Sequence, residues 1–243
     1  MLKFSILCPT RKRPTFIQDL IKNINDTVGN LNNVELIIIH DEDDFITGKI
    51  LSETHTRGKS FYYLKRERSE YLNRDYYNYL ASISSGKYLW AIGDDVRFLT
   101  KHWDILLEAR IEEYLKDKKD RVGYIYVYED KSQAKHPCFP LITKEAFKVL
   151  GMYFHPELLS WGADRCLWEL YSGVDRILQI PEIHIQHFSY HDKTAEYDET
   201  AKSMRDRFFR DPNCHNKVVT DIVPGQIEFL RKYLNDTRVE KSL

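Results

Sequence analysis

Several features that would assign this chain to a class are missing from it. No apolar run approaches the roughly 20 residues that a membrane-spanning helix needs. The apolar start, Phe4-Ser5-Ile6-Leu7-Cys8, is too short for the core of a secretory leader. Cysteine is sparse: Cys8, Cys138, Cys166 and Cys214 lie far apart and form no C-x-x-C pair, which excludes a thiolate zinc site of the usual spacing. Scattered cysteines without a leader lead us to expect a reducing, cytoplasmic setting. Neither a Walker loop nor a Gly-x-Gly-x-x-Gly occurs, so a P-loop kinase or a dinucleotide-binding dehydrogenase loses support. There is no internal repeat and no low-complexity tract. Charge of either sign is not in excess: 36 basic residues face 37 acidic ones, for a net charge of -1. That balance supplies no global attraction to nucleic acid or to an anionic membrane. A nucleic-acid partner is possible but not favoured, and no transmembrane segment is expected.

What remains is a chain of 243 residues, 42% of them hydrophobic, enough for one large α/β domain with a substantial core. A strand is expected over 4–8, then a proline-punctuated loop over 9–14. Thr15 and Gln18 form a capping-box pattern. Behind it, Phe16, Ile17, Leu20, Ile21, Ile24 and Val28 share one helical face. Residues 34–39 are continuously apolar, as in a buried parallel strand. They empty into His40-Asp41-Glu42-Asp43-Asp44, completing a β-α-β unit.

A second such unit follows. A short strand is expected over 61–64, and a helix with Leu72, Tyr76, Tyr79, Leu80 and Ile83 on one face. Gly86 stops that helix, and a strand over 88–92 runs into Gly93-Asp94-Asp95. Further on, the pattern predicts a helix over 100–116, strands over 122–128 and 138–142, and short helices over 144–150 and 164–171. Pro181 marks the strand over 177–185 as an edge. Helices are expected over 196–210 and 225–234, with long loops over 41–59 and 129–137. We therefore expect a catalytic-type domain over 1–190 and a C-terminal helical extension over 191–243, packed on the same domain.

The chemistry concentrates at strand ends. In open α/β sheets, ligands bind beyond the carboxyl ends of the strands. Asp94 and Asp95 there can hold a divalent cation against a phosphate, with Asp95 coordinating and Asp94 on a ribose hydroxyl or a coordinated water. The competing reading is a surface turn. Asp41 can accept hydrogen bonds from a base or ribose, whereas Glu42 and Asp43 read as solvated. Thr10, Arg11 and Arg13 follow the first strand and suit phosphate binding, or else form a solvated basic turn. His184, His187 and His191 cluster late, and His187 is the one expected to complete an oxygen-rich cation site, with His184 as alternate. Asp164, in the first turn of a helix after Trp161, suits a general base, or else a helix cap. Trp161 suits stacking on a sugar, or the core. Arg66, Arg68 and Arg74, interleaved with Tyr71, Tyr76 and Tyr77, read as a solvated helix face.

Five stretches in order carry a resemblance: Ser5 to Arg11, Glu35 to Asp41, Asn78 to Asp95, Trp161 to Asp164 and His187 to Asp198. Together they resemble the GT-A glycosyltransferases, particularly family 2-like enzymes. The resemblance implies a mixed, mainly parallel sheet flanked by helices, a nucleotide-diphosphate sugar donor, a Mn or Mg ion and transfer to a hydroxyl, usually with inversion. It implies that Asp95 and His187 bind the metal, that Asp164 is the base, and that Thr10, Arg11, Arg13, Asp41, Asn78 and Asp94 hold the donor. The acidic motif departs from the family pattern, reading Gly-Asp-Asp instead of Asp-x-Asp. The acid pair near the base is Ala163-Asp164. Rival readings are a sugar nucleotidyltransferase, whose first loop usually carries glycine, a non-catalytic nucleotide-sugar binding module, and transfer to a modified DNA base in place of a saccharide.

Overall fold

A computed structural model of the chain describes residues 2–54, 61–130, 136–191, 193–210 and 216–239. Among these, eight strands form one sheet in the order β3-β2-β1-β4-β7-β6-β8-β5. They are β1 (Phe4–Thr10), β2 (Val34–Asp41), β3 (Phe61–Arg66), β4 (Tyr88–Ala91), β5 (Val96–Phe98), β6 (Tyr124–Asp130), β7 (Leu141–Thr143) and β8 (Ile177–His187). The strands β3, β2, β1 and β4 run parallel, as do β6 and β8, while β7 and β5 pair antiparallel with their neighbours.

Both faces of the sheet are covered, which explains the unbroken apolar run in β2. Side chains alternate between two cores. Phe4, Ile6, Cys8, Leu36, Ile38, Tyr88 and Trp90 pack under α1 (Pro14–Thr27) and α4 (Trp103–Leu115). Leu7, Ile37, Ile39, Leu89 and Ala91 pack on the other side. There they meet α3 (Tyr79–Ile83), α5 (Lys144–Leu150) and α6 (Ala163–Ser172). The last helix, α8 (Val223–Val239), adds Leu230 and Leu234 to that second core. Among the described residues no helix is long and apolar enough to cross a membrane.

The structure corrects the sequence reading at several points. The capping box does not form. Pro14 takes the first helical position and Arg13 the cap, so Thr15 lies inside α1. Residues 41–59 are not all loop. They contain α2 (Phe45–Glu53), whose cap Asp44 accepts from the Thr47 amide at 3.2 Å. This helix leaves Phe45 80% exposed and buries only Thr47 and Leu51, so it has no apolar stripe to read. Residues Leu72–Asn78 wind as a π-helix before α3. The wider turn rotates the face, so Tyr76 and Leu80 are buried while Tyr79 and Ile83 are exposed. β8 is not an edge. β5, too short to read, pairs outside it. Pro181 is accommodated where the β6–β8 register shifts between Val127 and Tyr128. The strand expected over 138–142 forms as Leu141–Thr143. Of the loop over 129–137, residues 131–135 lie outside the described residues, as does Cys214.

Gly86 launches the strand that carries the paired acids. Its amide donates to Ser5 Oγ at 2.8 Å and to buried Glu35 Oε1 at 3.2 Å, and Glu35 also accepts from Ser5 Oγ at 2.5 Å. A Cβ on Gly86 would stand 2.5 Å from Ser5 Oγ, 2.7 Å from Ser5 N and 2.8 Å from Phe4 C. Backbone cannot yield there as a flexible side chain could. Gly86→Ala is therefore expected to cost about 3 kcal/mol in urea unfolding. Gly225→Ala, where nothing lies within 4 Å of the added carbon, is expected to add stability of up to about 1 kcal/mol.

Candidate active site

The carboxyl ends of β1, β2 and β4 open into a cavity of about 530 Å³. Thr10, Arg11, Arg13, Asp41, Asp94, Asp95, Asp164 and His187 all line it. These residues come from five separate parts of the chain. At the centre is the acid pair. Thr10 Oγ1 donates to Asp94 Oδ2 at 2.7 Å. Arg13 Nη1 donates to Asp94 Oδ1 at 3.0 Å and to Asp95 Oδ2 at 2.8 Å. Its Nε and Nη2 form a fork on Asp198, at 2.6 and 3.0 Å. Burial pushes the Asp94 carboxyl up to about 6, helped by the charge of Asp95 and opposed by Arg13 and Thr10. Burial works against the Arg13 cation, but the Asp198 hydrogen bond and the charges of Asp94 and Asp95 outweigh it and raise its pKa.

A Cβ at Gly93 would meet Asp95 Oδ1 at 2.3 Å, so any larger residue there would push that carboxylate from its place beside Arg13. The β5–β8 pairing then sets Val96 opposite His187. That brings His187 Nε2 to 3.8 Å from Asp95 Oδ1. A second cluster forms around Asp41. Arg11 Nη1 donates to Asp41 Oδ2 at 2.7 Å and also pairs with Asp43, and the Tyr76 hydroxyl donates to Asp41 Oδ1. Asp43 is thus an ion-pair partner of Arg11 as well as a solvated acid. Hydrogen bonding to Arg11 holds its carboxyl below the usual range.

Asp164 sits in the first turn of α6, after Gly162 at φ 87°. Its Oδ2 lies 3.2 Å from His136 Nε2, and its Oδ1 accepts from the Arg165 amide at 2.9 Å. The histidine had no signal in the sequence, standing in a loop with no periodicity. The hydrogen bond to Asp164 raises the His136 pKa, against the effect of burial. The C-terminal segment closes one wall through α7 (Glu199–Arg210). Lys12 Nζ reaches Glu199 at 3.0 Å, and Thr200 Oγ1 donates to the Arg11 carbonyl at 2.8 Å.

Two expected site residues lie elsewhere. Asn78 does not line the cavity. Its amide is spent on backbone, donating to Phe154 O at 2.8 Å and accepting from the Tyr153 and Phe154 amides at 2.8 and 2.9 Å. His184 is exposed on β8, against the Tyr128 ring. Trp161 lines the cavity beside His191 and Phe208.

No known family profile and no curated protein matches this sequence. Solved structures do match. Mannosyltransferase PcManGT from Pyrobaculum calidifontis, in complex with GDP-Man and Mn2+, is similar with a TM-score of 0.62 at 15% identity, over 99% of this chain and 76% of that one. S. aureus TarS 1–349 is similar with a TM-score of 0.59 at 13% identity, over 98% and 87% of the two chains. The same protein in complex with UDP-GlcNAc gives a TM-score of 0.60 at 13% identity, over 96% and 72%. The fold is GT-A.

The cation that this fold implies can be weighed against the donors present. Asp95 and His187 offer two, and among the described residues no three His, Cys, Asp or Glu side chains stand together as a cage. Such a pair would suit a hard divalent cation only if a bound phosphate supplied further oxygens, since Asp95 Oδ2 is also held by Arg13.

The His136–Asp164 pair predicts a pH dependence. A histidine whose folded pKa is raised contributes stability fully present below its unfolded value, about 6.5, and lost as pH rises through the folded one. His136→Gln is therefore expected to reduce stability more at pH 5.5 than at pH 8.5, by urea unfolding. An equal loss at both would detach His136 from Asp164.

Proposed function

We propose that this protein transfers a glycosyl group from a nucleoside-diphosphate sugar to a hydroxyl acceptor, with Asp164 as the base. The observation that carries the reading is the convergence of the Asp94–Asp95 pair and Asp164 on one cavity, although 68 residues lie between Asp95 and Asp164. Complexes of similar folds with GDP-Man and UDP-GlcNAc support a nucleotide-sugar donor.

On this reading Thr10, Arg11, Arg13 and Asp41 hold the nucleotide end of the donor. Asp41 accepts from a base or ribose, and Arg11 and Tyr76 fix its orientation. Asp94, held by Thr10 and Arg13, faces the ribose side. Asp95 and His187 would hold a Mn or Mg ion, which neutralises the departing diphosphate when bound. The acceptor hydroxyl gives its proton to Asp164 as its oxygen attacks the anomeric carbon and the bond to the diphosphate breaks. Attack from the face opposite the leaving group inverts that carbon. His136 Nε2 steadies the base from the side. The aromatic wall of Trp161, Tyr190 and Phe208 favours a saccharide acceptor, since an aromatic face packs on the apolar face of a sugar ring.

Asp164→Asn is expected to lower the rate of nucleoside diphosphate release by about 10²–10⁴-fold while leaving nucleotide affinity within about twofold. The assay incubates GDP-mannose or UDP-GlcNAc with Mn2+ and candidate acceptors. Release of pyrophosphate from a nucleoside triphosphate and a sugar 1-phosphate supplied in place of the nucleotide sugar would point to a nucleotidyltransferase, and an unimpaired Asp164→Asn variant would remove the base from the mechanism. Turnover that requires DNA would move the acceptor from saccharide to nucleic acid.

A further inference from the structure

The cations of the cavity are unevenly matched. Arg11 is balanced by Asp41 and Asp43, and Arg13 by Asp94, Asp95 and Asp198. Arg207, projecting from α7 into the same cavity, is only 8% exposed and forms no ion pair with any described residue. Among the described residues its side chain makes one hydrogen bond, from Nη2 to the Ser69 carbonyl at 3.2 Å. The carboxylates nearest in charge are engaged already: Asp41 by Arg11 and Tyr76, and Glu70 by Arg210 at 2.5 Å. Beside it Arg68 also lines the cavity, again with no ion pair among the described residues, its Nη2 reaching only Ser203 Oγ at 3.5 Å. Burial lowers the Arg207 pKa, with the charge of Arg68 acting the same way and Tyr76, Asp41 and Glu70 opposing. A chain does not hold two guanidinium groups together, one of them out of water, without something to offset the repulsion and the lost hydration.

We infer that Arg207 and Arg68 form an anion seat in the cavity wall that takes a phosphoryl group of a bound substrate. Guanidinium groups suit that ligand because their fork of donors matches phosphate oxygens. The seat is separate from the Arg13 cluster, whose carboxylates already neutralise it. The phosphoryl group comes either from the donor's diphosphate or from a phosphorylated acceptor. The chemistry is the same for both, and the assignment to a substrate rests on the glycosyl-transfer reading above. Because Arg207 belongs to α7, an anion bound to it also ties that helix to the loop that carries Arg68.

Calorimetric titration of the full chain with UDP, GDP, uridine and guanosine tests the seat. Arg207→Gln is expected to weaken diphosphate binding about tenfold or more while changing nucleoside affinity less than threefold, with Arg207→Lys between the two. That result assigns the seat to the donor. If diphosphate affinity holds, inorganic phosphate added over saturating nucleotide is expected to raise the melting temperature of the unaltered chain more than that of Arg207→Gln, which assigns the seat to an acceptor phosphate. Should neither nucleotide bind the unaltered chain, the donor reading fails. The phosphate titration without nucleotide then reads the seat alone, and it stands if only the unaltered chain is stabilised. Arg68→Gln serves as a second variant, expected to act in the same direction from an exposed position. In the absence of ligand, Arg207→Gln is expected to melt no lower than the unaltered chain, since it removes a buried cation that has no ion pair. Equal responses of all variants to every ligand, or a ligand-free melting loss of several degrees with no change in binding, overturn the inference.

Discussion

Arg13 is the contact on which the rest of the cavity depends. One guanidinium reaches three carboxylates from two distant parts of the chain: Asp94 and Asp95 at the end of β4, and Asp198 just before α7. Two adjacent acids at a buried strand end repel each other and lose hydration, which is why the Asp94 carboxyl rises to about 6 even with a cation beside it. Without Arg13 that cost would stand unopposed, and removing one partner of a buried pair typically costs about 3–5 kcal/mol. The same side chain holds the C-terminal wall against the sheet. Charge balance at the acids and closure of the cavity are therefore a single interaction.

The sheet supplies what Arg13 connects. Parallel pairing of β1 with β2 and β4 aligns three strand ends, so that Thr10, Asp41 and the acid pair emerge at one level. The short β5 then turns the chain back beside β8, which returns His187 to Asp95. Neither pairing needs the side chains of the cavity, since the strands are held by the two cores. A scaffold of this kind can tolerate charged groups that destabilise it locally.

This division explains what could be read from residues alone. The apolar runs over 4–8, 34–39 and 88–92 announced buried strands because each is covered on both faces, and their polar ends marked the cavity. Thr10, Asp41, Asp94 and Asp95 could be picked out for that reason, whereas His187 stood out from a late histidine cluster and Asp164 from the first turn of a helix after Trp161. Elements with weak periodicity were not legible. α2 exposes Phe45 and Ile46, β5 has three residues, and the π turn at Leu72–Asn78 shifts the helical face. Pro181 misled because proline usually marks an edge, whereas here it falls at a register shift inside the sheet. Asn78 looked like a ligand residue from its place in the motif. Its amide is instead a staple for the backbone at Tyr153 and Phe154. His136 and Arg207 left no trace at all, because their meaning comes from a partner near in space, or from the lack of one.

The contrast between Arg13 and Arg207 gives the cavity its electrostatic character. Both guanidinium groups are largely buried and both face the same space, yet one is saturated by carboxylates and the other forms no ion pair among the described residues. A protein shaped only for stability would pair the second or replace it with an apolar side chain of similar size, which is commonly neutral or stabilising. Keeping it unpaired costs free energy without a ligand, and an arriving anion offsets that cost. Such local destabilisation is expected where a site is built for its ligand, because the arrangement that binds best is seldom the most stable one without it.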